Sequence, residues 1–232
     1  MQQQHAILNC WRAAAAFALS IVLGSAGVAQ IAPDKADIAS YKGLHAAAQK
    51  NDPRRVSELL GGKAQCEIKD SQGRTPVHVA AHASSYAAFA ALISGGCDVR
   101  ALDNQHYDAI TIAAVDDDVR MVRLALKLGG NAKAITSPYE GTALIAAAHL
   151  GHVEVVKALI EGRAPLNHVN NLGWTALIEA VVLGNGQKPH IETVRALVQV
   201  GADRSIPDRN GSTARQLAEQ RGFTEIVKLI KP

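Results

Sequence analysis

A four-residue motif that recurs at a nearly constant spacing limits what this chain can fold into. Its copies begin at residues 42, 75, 108, 142, 175 and 213, so successive copies lie 33, 33, 34, 33 and 38 residues apart. A period of about 20 to 50 residues is typical of an array of small structural units. One such unit cannot bury its apolar face alone, so neighbouring units stack and share a core. The sequence therefore predicts a solenoid of about six units.

The residues around the motif recur in the same register. Small residues follow it, as in Ala80-Ala81; a glycine such as Gly151 breaks the apolar pattern, and an apolar pair such as Leu159-Ile160 comes next. Thr75 can cap a helix whose first-turn position is occupied by Pro76, where a missing amide donor costs nothing. Each unit is therefore predicted to be a helix, a tight turn and a second helix.

These residues resemble the ankyrin repeat family. The segment from Asp70 to Ala81 nearly matches the family's first-helix pattern, and the segment from Gly151 to Gly162 matches its second helix. The resemblance implies an all-α ankyrin repeat solenoid of about six helix-turn-helix units joined by short hairpin-like connectors. The repeats are predicted at residues 41–69, 70–102, 103–136, 137–169, 170–207 and 208–232.

Three units depart from the pattern. Repeat three has Asp108 in place of threonine and three aspartates at residues 116–118, which predicts either a weak unit or one shaped by a partner. Repeat five has about five extra residues, 186–190, which the alignment places between its two helices. Repeat one lacks the threonine, and residues 30–40 before it are predicted to form a leading segment.

Residues 1–29 differ in composition from the repeats. A polar start with one basic residue, Arg12, precedes an apolar run at residues 13–23 and a small-residue stretch at residues 24–29. This order predicts a secretory signal peptide that is cleaved after Ala29, with Ala26 as the alternative site. A retained membrane anchor is the alternative, although the run is shorter than the about 20 residues that span a bilayer. The predicted location is periplasmic or secreted, without membrane attachment after cleavage.

The two cysteines beyond the signal, Cys66 and Cys97, fall in adjacent connectors. An exported protein meets an oxidising compartment, where such a pair can form a disulfide. Two buried free thiols are the alternative.

Composition and motifs argue against nucleic acid and cofactors. The 24 basic and 21 acidic residues form no block of like charge, and only 4% of residues are aromatic. No phosphate-binding loop or nucleophile elbow is present. His78 and His82 are four residues apart on a predicted helix and could bind a metal, but no third ligand accompanies them. We therefore predict a monomeric protein that is not an enzyme and has no cofactor, with a metal-dependent enzyme as the minor alternative.

The position just before the motif is the predicted contact point for a protein partner. The residues at this position are Tyr41, Arg74, Tyr107, Gly141, Trp174 and Ser212. Stacking would bring them into one row, and aromatic residues and arginine are enriched among binding hot spots. The predicted partner-binding residues are therefore Tyr41, Arg74, Tyr107 and Trp174. The family resemblance implies that the concave face binds the partner. A secreted effector or an inhibitor of an enzyme is the alternative function, and simple packing is the alternative role for the row.

Overall fold

The computed structural model of the protein describes residues 30–62 and 65–231. From Ala32 onward the chain forms one compact unit, and its described residues contain thirteen helices and no strand. The predicted all-α fold is therefore confirmed. The predicted signal peptide, residues 1–29, lies outside the described residues. Among the residues that are described, no helix is long and apolar enough to cross a membrane.

A short helix, α1 (Lys35–Ser40), precedes six helix pairs, one for each copy of the motif. The first helices of the pairs are α2 (Gly43–Gln49), α4 (Pro76–His82), α6 (Ala109–Val115), α8 (Ala143–Leu150), α10 (Ala176–Val182) and α12 (Ala214–Gln220). The second helices are α3 (Pro53–Gly61), α5 (Tyr86–Ser94), α7 (Val119–Lys127), α9 (Val153–Glu161), α11 (Lys188–Gln199) and α13 (Thr224–Leu229).

Like helices of neighbouring pairs pack together to form the core. First helices contact first helices of the adjacent pairs, and second helices contact second helices. Alanines such as Ala80, Ala113 and Ala147 are fully buried between the first helices, where a larger side chain would force the backbones apart. Larger aliphatic residues, of which Leu159 is an example, fill the space between the second helices.

Polar residues cap the first helices. The Thr142 hydroxyl accepts a hydrogen bond from the Ile145 amide at 3.4 Å. In repeat three, Asp108 occupies the threonine position and accepts from the Thr111 amide and hydroxyl, both at 2.8 Å. Each cap satisfies an amide that the helix itself leaves unpaired. The substitution of aspartate for threonine thus keeps this helix capped.

The extra residues of repeat five belong partly to a helix. We expected residues 186–190 between the two helices, but α11 begins at Lys188 and is 12 residues long. Pro189 is tolerated there because the first turn of a helix needs no amide donor. The insertion therefore lengthens the second helix as well as the turn.

The two ends of the stack close differently. Helix α1 buries none of its residues. At the other end, Arg215 donates hydrogen bonds to the carbonyl oxygens of Val227 at 3.0 Å and Ile230 at 2.7 Å, both at the end of α13. Ile226 and Ile230 are buried there, and no large apolar side chain is exposed between residues 201 and 231.

Candidate functional site

The connectors between repeats are tight turns held by one polar side chain. In the first connector, Asp70 Oδ1 accepts hydrogen bonds from the amides of Gln72 and Arg74, both at 2.9 Å. Asp103, Asn170 and Asp208 hold the second, fourth and fifth connectors by the same pair of bonds. A turn with both inner amides satisfied keeps its shape without a partner.

Neighbouring turns also bond to each other. The Asn104 amide donates to the Gln72 carbonyl at 3.1 Å, and the Lys69 ammonium donates to the Leu102 carbonyl at 3.1 Å. The turns approach so closely that a Cβ on Gly73 would lie 2.2 Å from the Asn104 side-chain oxygen. Gly73 also has a φ of 75°, which favours glycine. The connectors therefore form a preformed edge along the stack.

This edge carries one exposed aliphatic side chain from each of the first four connectors. These residues, which we name the connector row, are Ile68 (53% exposed), Leu102 (38%), Ile135 (55%) and Val169 (44%). They lie seven, six, seven and six residues before the motif copies at residues 75, 108, 142 and 175, so they recur within a two-residue segment of the repeat. Sequence analysis did not single them out, although an aliphatic residue one or two positions before the turn was visible in each of these connectors.

The structure corrects two of the four predicted partner-binding residues. Arg74 is fully buried, with Nη2 2.5 Å from Asp37 Oδ2 and Nε 2.6 Å from Asp70 Oδ2. Burial alone would raise the pKa of the Asp70 carboxyl, but hydrogen bonds from Arg74 and Tyr41 outweigh it and lower the pKa. The guanidinium thus ties α1 to the first connector and cannot contact a partner.

Tyr107 is the second correction. Only 6% of this residue is exposed, and burial raises the pKa of its hydroxyl to about 12. A predicted surface residue is buried here because its ring is part of the apolar core. The predicted row therefore does not form a continuous exposed surface.

Tyr41 and Trp174 are half-buried and remain predicted contacts. The Tyr41 ring stacks on His45 with centroids 5.2 Å apart, and its hydroxyl donates to Asp70 Oδ2 at 2.8 Å. Trp174 packs against the core and leaves part of its ring accessible.

The two predicted cysteines meet in the structure. Cys66 and Cys97 are joined by a disulfide, and their Cα atoms lie 5.1 Å apart. That separation is within the usual range of about 4.4 to 6.8 Å. The bond connects the first connector to the second.

A buried carboxyl in repeat five was missed by sequence analysis. Glu179 Oε1 accepts a hydrogen bond from the Asn170 side chain at 2.9 Å, and Oε2 lies 3.9 Å from His149 Nδ1. Burial raises the pKa of Glu179 to about 7, and the bond from Asn170 offsets only part of this effect. The signal was present as an asparagine where Asp70, Asp103 and Asp208 stand in other connectors.

Comparison with known proteins identifies the repeat type. A family model of three ankyrin repeats matches residues 44–136 and 112–203. The protein YahD of Escherichia coli (strain K12) is 32% identical over 185 residues, which are 79% of this chain and 92% of YahD. The chain belongs to the ankyrin repeat family.

Solved structures share the arrangement of this ankyrin repeat protein. An ankyrin repeat domain from Acinetobacter baumannii AYE is 40% identical with a TM-score of 0.76, and the match covers 81% of this chain and 95% of that one. A chain in the complex of the predatory endopeptidase Bd0816 from Bdellovibrio bacteriovorus with immunity protein Bd3460 has a TM-score of 0.68. At 23% identity, over 82% of this chain and 97% of that one, this likeness concerns the fold alone.

The motif histidines of this ankyrin repeat protein hold the repeats together. His78 Nδ1 accepts from the Thr75 amide at 3.1 Å, so Nε2 carries the proton and donates to the Tyr107 carbonyl of the next repeat at 3.1 Å. Burial lowers the pKa of His78 to about 4, which keeps the ring neutral. His82 Nδ1 lies 3.6 Å from Asp116 Oδ2. Within residues 30–62 and 65–231, no group of three or more His, Cys, Asp or Glu side chains is placed to hold a metal.

Proposed function

We propose that this ankyrin repeat protein is a non-catalytic binding module that works in an exported compartment and holds a protein partner on the connector row. The observation that carries the proposal is the recurrence of exposed aliphatic residues in successive connectors. Four of the eight large apolar side chains exposed in the described residues fall in the same short segment of successive connectors. Single exposed apolar residues are normal on a protein surface, but here they recur in the same segment of four successive connectors, which favours a shared interaction surface.

The preformed edge supports the same proposal. Its turns are held by hydrogen bonds to Asp70, Asp103 and Asn170 and by bonds between neighbouring connectors. A surface that is already ordered loses little conformational entropy when a partner binds, so more of the contact energy becomes affinity. The connector row thus offers four aliphatic contacts on a rigid support.

Export is the second part of the proposal. Its support is the order of basic, apolar and small residues in the segment 1–29 and a cysteine pair suited to an oxidising compartment. In this proposal the mature protein is a monomer that is free of the membrane.

The test compares two valines that differ only in location. Val169 belongs to the connector row and is 44% exposed, whereas Val200 follows α11 and is 46% exposed. Partner capture from a periplasmic or secreted fraction should fall about fivefold or more for Val169→Asn, the loss expected for a residue that contributes over about 1 kcal/mol. Val200→Asn should capture the partner like the unchanged chain, and thermal unfolding of both variants should stay close to it.

The result can also contradict the proposal. Equal capture by the Val169→Asn and Val200→Asn variants would mean that the partner binds elsewhere. If the captured partner is an enzyme whose activity falls on binding, the inhibitor alternative is the correct form of the function. The fold shared with a chain of the endopeptidase–immunity protein complex makes that outcome worth measuring.

A further inference from the structure

Repeat one is the first unit of the described stack, and the second of its two helices has little buried surface. Its second helix, α3, buries only Val56, whereas α9 in the middle of the stack buries four side chains. A terminal repeat also has a neighbour on one side only, so it lacks one of the two interfaces that stabilise an internal repeat. Individual links to its neighbour therefore matter more for repeat one than for an internal repeat.

Besides the hydrogen bonds of Tyr41 to Asp70 and of Lys69 to Leu102, three noncovalent links join repeat one to repeat two. His45 Nε2 lies 2.9 Å from the Arg74 carbonyl oxygen. Asn51 Oδ1 accepts hydrogen bonds from two amides at the start of α5, each at 3.0 Å. Leu60 packs so closely on Gly95 that a Cβ there would lie 2.2 Å from its Cδ1. These links fasten the first helix, the turn and the second helix of repeat one.

The Cys66–Cys97 disulfide adds a covalent link at the connector, where Lys69 also donates a hydrogen bond to the Leu102 carbonyl. Cys66 is half-buried and Cys97 is 4% exposed. Ile68 of the connector row lies two residues beyond Cys66, so the bond also holds the first exposed contact of the row in place.

We propose that the Cys66–Cys97 bond is a redox-controlled brace that keeps repeat one folded on repeat two and keeps Ile68 aligned with the connector row. The effect on partner binding rests on the function proposed above, whereas the effect on repeat one does not. Reduction releases the brace, and exchange with a disulfide oxidant, which takes up the two electrons and two protons, restores it.

The reductant is a dithiol. One of its thiolates attacks Sγ of Cys66, the more accessible sulphur, and the bond to Cys97 breaks. Sγ of Cys97 leaves as a thiolate and takes up a proton. The second thiol of the reductant then displaces Cys66 as a thiol, and the reductant becomes a disulfide. Two electrons and two protons pass from the dithiol to the cysteine pair.

Hydrogen exchange of the full chain, with and without excess dithiothreitol, tests the brace directly. Reduction should speed amide exchange in α2 and α3 about 30-fold or more, which corresponds to about 2 kcal/mol, the low end for a native disulfide. Exchange in α9 should not change, because it lies in repeat four. Thiol titration of the denatured, unreduced chain should find two fewer thiols than the reduced chain.

A variant without the bond is the control. The Cys66→Ser, Cys97→Ser double variant should exchange fast in α2 and α3 under both conditions. Equal exchange in the oxidised and reduced native chain, or an equal response of the double variant to dithiothreitol, would overturn the brace. If reduction speeds exchange in α2 and α3 but leaves partner capture unchanged, the disulfide does not align the connector row. If capture in that case still depends on Val169, the proposed function stands.

Discussion

Arg74 is a charged residue that the fold removes completely from water. Its guanidinium pairs with Asp37 of α1 and Asp70 of the first connector, and Tyr41 donates a hydrogen bond to the same Asp70. A buried charge is tolerated only where partners replace its hydration. The cluster therefore explains how a helix without buried residues stays attached to the stack.

Replacing Arg74 with Ala should destabilise the protein by about 3 to 5 kcal/mol, because it leaves two carboxylates without their cation. Arg55, whose side chain is 56% exposed and pairs with Glu58, is the matched control. Arg55→Ala should change the free energy of unfolding by less than about 0.5 kcal/mol. Urea unfolding of the two variants measures the contrast, and equal effects would mean that Arg74 is solvated.

Glu179 makes stability depend on pH. Its pKa rises from 4.5 to about 7 on folding, because the carboxyl is buried. Between these pH values the folded chain binds more protons than the unfolded chain, so the free energy of unfolding falls as pH rises. The stability gained from keeping Glu179 protonated in the folded chain is complete below pH 4.5 and is lost above about pH 7.

Glu179→Gln should remove this dependence, since glutamine can still accept the hydrogen bond from Asn170 but does not ionise. At pH 8 the variant should exceed the unchanged chain in stability by up to about 3 kcal/mol, and near pH 4.5 the gain should vanish. His149 titrates in both chains, and burial lowers its pKa. Urea unfolding at both pH values tests the expectation, which fails if the two chains respond to pH in parallel.

At the scale of elements, the second helices differ in how well they are anchored. Helix α9 buries Val155, Val156, Ala158 and Leu159, whereas α13 buries Ile226 alone. Packing of an apolar face, more than helix propensity, stabilises helices this short. Helix α9 should therefore be among the last elements to open.

Leu159→Ala should cost about 2 to 5 kcal/mol, because the site is fully buried and the substitution leaves a cavity. Lys157 lies on the same helix with 48% of its side chain exposed. The Lys157→Ala control should change stability by less than about 0.5 kcal/mol. Thermal unfolding of both variants provides the measurement, and a small effect of Leu159→Ala would show that this register is wrong.

At the scale of the whole molecule, stability is approximately a sum over repeats and their interfaces. The described residues form one continuous stack, so a change in one repeat is felt mainly by its neighbours. The repeats at the two ends of the described stack have fewer interfaces. Polar contacts of Arg74 at one end and Arg215 at the other hold the terminal helices in place.

The mature N-terminus is a prediction about the whole chain. Mass spectrometry of protein from the exported fraction should find Gln30 or a close neighbour at the N-terminus, because the preceding residues have the order of a cleavable signal. A chain that begins at Met1 and stays in the cytoplasm would refute the proposed location and the oxidising environment of the cysteine pair.

The sequence by itself determined the architecture. The spacing of the motif copies predicted the helix pairs, because every unit must satisfy the same local rules of capping and apolar spacing. Thr142 at a helix start and Leu159 in a second helix therefore occupy the places that their pattern predicted.

Tertiary structure alone decided which side chains reach water. The position before the motif is equivalent in every repeat, yet Arg74 and Tyr107 are buried while Trp174 is half-exposed. Burial depends on which groups the neighbouring repeat and α1 place beside each residue. For Arg74 one such group is the Asp37 carboxylate, with which the buried guanidinium forms an ion pair. A periodic sequence predicts equivalent backbones, but the exposure of each side chain depends on its particular neighbours. For this reason the exposure of the connector row became evident only in the folded chain.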